Sequence, residues 1–384
     1  MRGGMTNQVR LVGLDFGTTT SSAVVALASL QRTATGRMEL EGIQEQFRSE
    51  MEFTPLLDDD SVDLQRVDGL LDQWLGNGHA RLPDIFGGGA LLTGLTAQKK
   101  NAAGLVRLIR ERLGDSLVAT AGDPCLESWL AFMGNCASLS KSRPDVPVLN
   151  LDIGGGTTNL ALGKNGEVSR CGCLFVGARH IQVTPGTYRI VGLSSFAQCI
   201  FKKLGITRQV GDDLAPSERG AFLDCCIAVL EHVCGGNPTP KVQGLLPSLT
   251  QASFLMPPEV SAFAITFSGG VGELIYDHVR GKVWPGQTAY GDLGIDLARR
   301  ILESPLLNRS TMDFQPQSGG RATVFGLLRY ATEVSGSTLY LPITDILPLN
   351  DVPIFGSIDP SDSDERTSAS SFQSVRKEAA FRCD

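Results

Sequence analysis

The chain has no run of eighteen or more apolar residues, and its start, MRGGMTNQVRLVGLDFG, lacks the apolar core of a secretory leader. No membrane partner is therefore expected, and the cytosol is the expected setting. A long Lys/Arg stripe is also missing. With 34 basic against 41 acidic residues the formal charge is -7, which leaves no electropositive groove to displace counterions from nucleic acid. Histidine is scarce: His79, His180, His232 and His278 are scattered and form no ligand constellation in sequence. The nine cysteines are an odd number, and neither Cys171 with Cys173 nor Cys225 with Cys226 has a second pair at zinc-site spacing. They read as reduced packing residues.

What is present is glycine, 44 residues of it in a chain of 384 that is long enough for two packed domains. Two glycine-threonine loops carry most of the information. VGLDFGTTTS, residues 12–21, and LNLDIGGGTTNLAL, residues 149–162, are each an apolar strand that ends in Asp-x-Gly and runs into hydroxyls. In the first, Gly17 admits close backbone approach, and Thr18, Thr19 and Thr20 offer oxygens and amides to phosphate. Asp15, at the strand end, suits Mg2+ held through water, because hydrated magnesium bridges one or two carboxylates to nucleotide phosphates. The second loop offers the same set: Asp152 for Mg2+, Gly154, Gly155 and Gly156 for approach, Thr157 and Thr158 for oxygens. A nucleotide gripped by both loops would couple phosphate binding or loss to relative domain movement.

A third glycine turn, SGGVGE at residues 268–273, could close over adenine and ribose through Gly269, Gly270 and Gly272; an ordinary strand-to-helix turn is the plain alternative. GGRATVFG, residues 319–326, could pack a small-residue helix closely against a second helix near Glu127. Neither loop is G-x-x-x-x-G-K-[ST], and neither is followed by the dinucleotide fingerprint with its ribose-binding acid.

Periodicity predicts strands over 9–15, 22–30, 148–152 and 262–267, and helices over 64–75, 97–113, 124–133, 193–204, 217–233 and following the glycine turn of SGGVGELIYD. A hairpin should turn at Asn165-Gly166. Residues 39–55 read as a polar, partly exposed stretch, 235–258 as turn-rich, 117–119 as a short apolar step, and STLYLP as a late strand. The segment KSRPDVP is a candidate domain boundary.

The ordered set VGLDFGTTTS, LNLDIGGGTTNLAL and TFSGGVGELIY, followed by RATVFGLLRYATEVSG, resembles the phosphate, adenosine and interdomain-helix motifs of the actin, hexokinase and Hsp70 ATPase superfamily. The resemblance implies an α/β fold of duplicated ribonuclease-H-like domains around ATP and Mg2+. Residues 1–145, completed by about 320–355, would form the first, 146–319 the second, and 356–384 a disordered tail. Within the superfamily the chain is most similar to the EutA family of ethanolamine ammonia-lyase reactivating proteins, on ALLTGLTAQKKNA, VATAGDPCLES and GSTLYLP with ILPLNDVPI.

That family implies ATP- and Mg2+-dependent rescue of ethanolamine ammonia-lyase, in which damaged cobalamin leaves the client and adenosylcobalamin enters. Cobalamin would be handled through the client. Self-association and association with a bacterial microcompartment are left open by the sequence. Carried over, Asp15, Thr18, Thr19, Asp152, Thr157 and Thr158 would handle Mg-phosphate, and Gly269, Gly270 and Glu273 would lie near the nucleoside. Glu127 would orient attacking water, or else is a helix-surface carboxylate. Two departures stand out: Leu95 replaces an acid in the TGLTAQKKN motif, and a serine-rich tail stands where relatives continue with a folded segment. A small-molecule kinase and a nucleotide-gated scaffold without useful turnover remain the alternatives. Arg107, Arg110 and Arg112 could pair with a client acid, and solvation explains them equally.

Overall fold

A computed structural model describes residues 8–17, 20–32, 38–50, 52–58, 61–92, 96, 99–114, 117–120, 124–237, 239–257, 260, 262–316 and 322–330. All belong to the first of two units, Met1–Gly336. The expected late strand STLYLP and the tail lie outside the described residues.

The first sheet is built on β1 (Gln8–Phe16), whose Leu11, Val12, Leu14 and Phe16 are fully buried. It pairs antiparallel with β2 (Thr20–Arg32), which pairs with β3 (Met38–Arg48) and with the two-residue β4 (Glu52–Phe53). The stretch expected to be polar and partly exposed is so, and most of it is edge strand. A small hairpin, β5 (Leu56–Asp58) and β6 (Ser61–Val62), leads into α1 (Leu64–Asn77). The Asp63 carboxylate caps α1 by accepting from the Arg66 amide at 3.0 Å. Val67, Leu71, Trp74 and Leu75, one face at helical spacing, pack on Val12, Leu14 and Phe16.

Two strands parallel to β1 complete the sheet: β7 (Ile85–Leu92) beside β1, and β8 (Leu117–Thr120) beside β7. Between them runs α2 (Ala102–Leu113). It starts at Ala102, later than the expected 97, because the Asn101 amide grips the Val62 backbone at both ends, 2.9 and 2.7 Å, and holds the chain in a turn there.

α3 (Pro124–Asn135) and α4 (Ala137–Ser142) lead to the second sheet. Its strands are β9 (Val148–Ile153), β10 (Thr158–Lys164) and β11 (Glu167–Leu174), with the expected turn formed by Asn165 and Gly166, φ 53° and 82°. A further pair, β12 (Ile181–Val183) and β13 (Ile190–Leu193), precedes α5 (Ser195–Leu204), α6 (Pro216–Val233), α7 (Pro240–Gln243) and α8 (Leu246–Leu249). β14 (Thr250–Ala252) joins the edge at β11, and β15 (Ala264–Ser268) lies parallel to β9. α9 (Gly269–Val279), α10 (Gly294–Glu303) and α11 (Ala322–Tyr330) follow.

The two sheets share a plan. The orders β3-β2-β1-β7-β8 and β14-β11-β10-β9-β15 both contain an antiparallel three-strand meander with a parallel strand on the far side of its first member. One face of β9, Leu149, Leu151 and Ile153, enters a large apolar core with α5, α6, α9 and α10. The other face turns toward α3.

α3 and α11 cross backbone against backbone. A Cβ on Gly134 would stand 1.8 Å from the Ala322 carbonyl oxygen, and one on Gly326 2.1 Å from that of Leu130. This is the close crossing expected from GGRATVFG. α11 also faces the first sheet: Val324 and Leu328 pack with Leu11, Val24 and Ala26, and a Cβ on Gly13 would meet Val324 at 2.6 Å. The helix pair is therefore shared, α11 lying on the first sheet and α3 on the second.

Candidate functional site

Side chains alternate along a strand, so Leu11, Gly13 and Asp15 share one face of β1. That face meets α11, and Thr323 Oγ1 donates to Asp15 Oδ2 at 3.4 Å. The equivalent face of β9 carries Val148, Asn150 and Asp152 and meets α3. Each acid thus closes the polar end of its strand against one member of the crossed helix pair.

Gly17 follows Asp15, and its carbonyl accepts from Thr54 Oγ1 at 2.7 Å and from Thr96 Oγ1 at 2.8 Å. Thr54 is held in turn by Ser21, 2.9 Å between hydroxyl oxygens. Three hydroxyls from separate segments therefore fix the first loop. Thr18 and Thr19 lie outside the described residues, and Thr20 opens β2.

The second loop is fully described. The Gly154 amide donates to the Thr157 carbonyl at 2.9 Å, and a supporting turn lies beneath: the Ala178 and Arg179 amides donate to Gly154 and Gly155 carbonyls at 3.0 and 2.6 Å. No atom lies within 4 Å of where a Cβ on Gly156 would be, so its backbone is open to a ligand. Thr157 is half-buried. Thr158 is fully buried as the first residue of β10, and its hydroxyl donates to the Val176 carbonyl at 2.7 Å, inside the loop's support.

Asp152 sits in a polar row that crosses the sheet: Cys173, Asn159, Asp152 and Ser268 are cross-strand partners in succession. Behind it Asn150 pairs with Thr266. Asn135 Nδ2 and Thr266 Oγ1 donate to Asn150 Oδ1 at 3.2 and 3.0 Å; Asn150 Nδ2 donates to Ser268 Oγ at 2.9 Å; Ser268 Oγ donates to Asp152 Oδ1 at 2.5 Å. The chain of donors runs in one direction, from the end of α3 to the carboxylate. Asp152 is only 9% exposed, and burial pushes its pKa up to about 6, against the lowering effect of the bonds from Ser268 and Asn159. Asn159 is 2% exposed, and its Oδ1 has no partner among the described residues.

The third turn starts from Ser268. Its hydroxyl serves Asp152 instead of capping α9. Gly269 takes φ 74°, and a Cβ there would stand 2.5 Å from the Ile153 carbonyl oxygen, so the position requires glycine. Gly270 is open on its Cβ side, and Glu273 is exposed on α9, just beyond its first turn. Glu127 lies in the first turn of α3, half-buried. It and Asp152 both act electrostatically on the Cys173 thiol, which burial pushes well above its ordinary pKa. Among the described residues, Asp152, Ser268, Gly269, Gly154–Gly156 and Glu127 therefore gather around the α3 face of the second sheet, with Asp15 and Gly17 on the α11 face of the first.

The sequence model of the ethanolamine utilisation protein EutA family matches residues 7–383. The chain belongs to the EutA family. It is 33% identical over 358 residues to the ethanolamine ammonia-lyase reactivase EutA of Salmonella typhimurium, covering 91% of this chain and 73% of that protein. The Escherichia coli reactivase of the same name is 30% identical over 361 residues, covering 93% and 74%. Among solved structures, an Aquifex aeolicus PPX-GPPA enzyme is similar at 15% identity and a TM-score of 0.40, over 84% of this chain and 91% of that one. A likeness of that degree carries no argument about chemistry.

In this EutA-family chain several site residues escape a reading by motif. Thr54, Thr96, Asn135, Asn150, Thr266 and Ser268 hold the loops and the buried acid, and Arg179 stands beside the second loop. Asn150 carries the one usable signal: an amide two residues before Asp152, on the same face of an otherwise apolar strand. Among the described residues no group of three or more His, Cys, Asp or Glu gathers as a metal cage, and no helix is long and apolar enough to cross a membrane.

Proposed function

We propose that this chain is a cytoplasmic ATP-dependent reactivating factor for ethanolamine ammonia-lyase, a weak ATPase of the actin and Hsp70 type whose two sheets are duplicated ribonuclease-H-like domains. The observation that carries the reading is the pair of acid-tipped strands, Asp15 on β1 and Asp152 on β9, each facing one helix of the crossed pair. The repeated strand plan supports the duplicated fold, and family membership supports the client.

The residues present fit Mg2+ and a nucleotide. Among the described residues, Asp152 is a buried carboxylate with no cation paired to it, beside the partnerless Asn159 Oδ1 and the open backbone of Gly156. Hydrated Mg2+ needs only one or two carboxylates, so no fuller cage is required. Bound Mg2+ would neutralise phosphate charge and favour loss of the terminal phosphoryl group. Asp15 and Asp152 would hold it through water. Gly17, Thr18, Thr19 and Thr20 of the first loop, and Gly154, Gly155, Gly156 and Thr157 of the second, would contact phosphate. Thr158 acts one step back, fixing the loop from beneath. Gly269, Gly270 and Glu273 border the nucleoside, and Glu127 orients water.

Because α11 is packed on the first sheet and α3 on the second, a change in how the loops are held apart is transmitted along one helix crossing. On the client that movement releases damaged cobalamin and admits adenosylcobalamin. Cobalamin stays the client's ligand.

Calorimetric titration with Mg-ATP, paired with phosphate release, tests the site. The wild-type chain should bind and release inorganic phosphate without phosphorylating a small molecule, and Asp152→Asn should lose at least about tenfold in Mg2+-dependent affinity, the scale of one charge-assisted contact. Equal affinity in the two proteins would remove Asp152 from the site.

A further inference from the structure

Among the described residues, Arg179 links the second loop to the first sheet: its backbone is bonded into the loop and its side chain reaches β4. Its amide donates to the Gly155 carbonyl at 2.6 Å, so its backbone moves with the second loop. Its guanidinium carbon stands 5.2 Å from the centre of the Phe53 ring on β4. Phe53 is followed directly by Thr54, whose hydroxyl holds the Gly17 carbonyl of the first loop. The guanidinium therefore lies within a residue or two of both loops.

Its bonding is anomalous. Arg179 is half-buried, yet among the described residues its five N–H donors have no hydrogen-bond or ion-pair partner, and Asp292 acts on it only through its charge. Burial pushes its pKa down, against the raising effect of the Asp292 charge. Phe53, 65% exposed, offers it an aromatic face, a contact weaker than a charge-assisted bond to an anion. Arg219 and Arg300, also half-buried, pair with Asp296 and Asp224, whereas the exposed Arg299 has, among the described residues, only the Trp284 ring beside it.

We propose that Arg179 is a phosphate-binding residue: its guanidinium takes phosphate oxygens of a nucleoside polyphosphate seated between the loops, and rests on Phe53 when none is there. The inference rests on the proposed nucleotide site and adds a residue to it. The two partners are alternatives for one cation, so phosphate binding releases the second loop from the first sheet's edge. The Arg179–Phe53 contact is then a latch that the ligand opens.

The test compares adenosine, Mg-ADP and Mg-ATP binding to the full chain as wild type, Arg179→Ala, Arg179→Lys and Phe53→Leu. Arg179→Ala should weaken Mg-ADP and Mg-ATP about tenfold or more while leaving adenosine affinity within about twofold, because only phosphate contacts are lost. Arg179→Lys should recover part of the loss, keeping charge without the fork. Phe53→Leu, at an exposed side chain, should tighten both nucleotides about two- to fivefold by removing the competitor. Parallel loss of adenosine and nucleotide affinity in Arg179→Ala would mean a structural role and overturn the proposal, as would an unchanged nucleotide affinity. If the wild-type chain binds none of the three, the nucleotide site itself fails and this residue's role fails with it; wild-type binding with an indifferent Arg179→Ala overturns this inference alone.

Discussion

A buried carboxylate with one hydroxyl and one amide for company costs the folded chain stability unless a cation joins it. Asp152 in the folded protein titrates near pH 6 against an ordinary value of 3.8. Between those values the folded state binds more protons than the unfolded one, so stability falls as pH rises through about 4 to 6, and the whole cost stands above that window. Asp152→Asn keeps an acceptor for Ser268 and removes the charge. In EDTA at pH 7.5 it should therefore melt higher than wild type, by up to roughly 3 kcal/mol of stability, with the advantage gone by about pH 3.5. Thermal melts across that range check it, and an Asp152→Asn protein that is less stable at pH 7.5 contradicts it. The acid itself was legible in LNLDIGGGTT, as was Asp15 in VGLDFGTTTS. The donors behind it were not, because Asn150 meets Ser268 across 118 residues of sequence and only strand register brings them together. Thr158 was read as a phosphate ligand by its place in a Thr-Thr pair; the alternation of β10 turns its hydroxyl to the Val176 carbonyl.

At the scale of elements, the crossing of α3 and α11 is the most constrained contact. Ala at Gly326 would press its methyl into the Leu130 carbonyl, and Ala at Gly134 into that of Ala322, neither of which is a flexible side chain that can swing aside. Gly326→Ala should cost on the order of 2–4 kcal/mol in urea denaturation. Gly134→Ala should cost a similar amount, and the double variant clearly less than the sum, since the first methyl already parts the helices. Strict additivity would mean the two contacts are independent and the crossing is not a single joint. The 3.6-residue period made α1, α3 and α6 legible to within a few residues. β7 was not, since the glycines of IFGGGALL interrupt the apolar pattern. There Gly88, at φ 133°, would bring a Cβ 2.0 Å from the Val12 carbonyl oxygen, so the glycine belongs to a close strand pairing. β3, rich in Glu and Gln, hid its strand character because an edge strand can face water on much of its surface.

For the whole molecule the repeated strand plan matters more than any single motif. Two sheets of one strand plan share one helix crossing, and in the proposed reading a ligand between the loops acts through that crossing. Sequence carried this far because the Asp-x-Gly loops and small-residue helix are local signals; the latch at Arg179 and the ladder of Asn150 and Ser268 are products of the assembled sheets. The measurement that tests the central claim is recovery of ethanolamine ammonia-lyase activity after inactivation with cyanocobalamin. The purified chain is added with fresh adenosylcobalamin, with and without Mg-ATP, alongside Asp152→Asn. The account predicts recovery that needs Mg-ATP and falls at least about tenfold in the variant. Recovery that is indifferent to Mg-ATP, or equal in the variant, would contradict it, as would no recovery from a client shown to be competent.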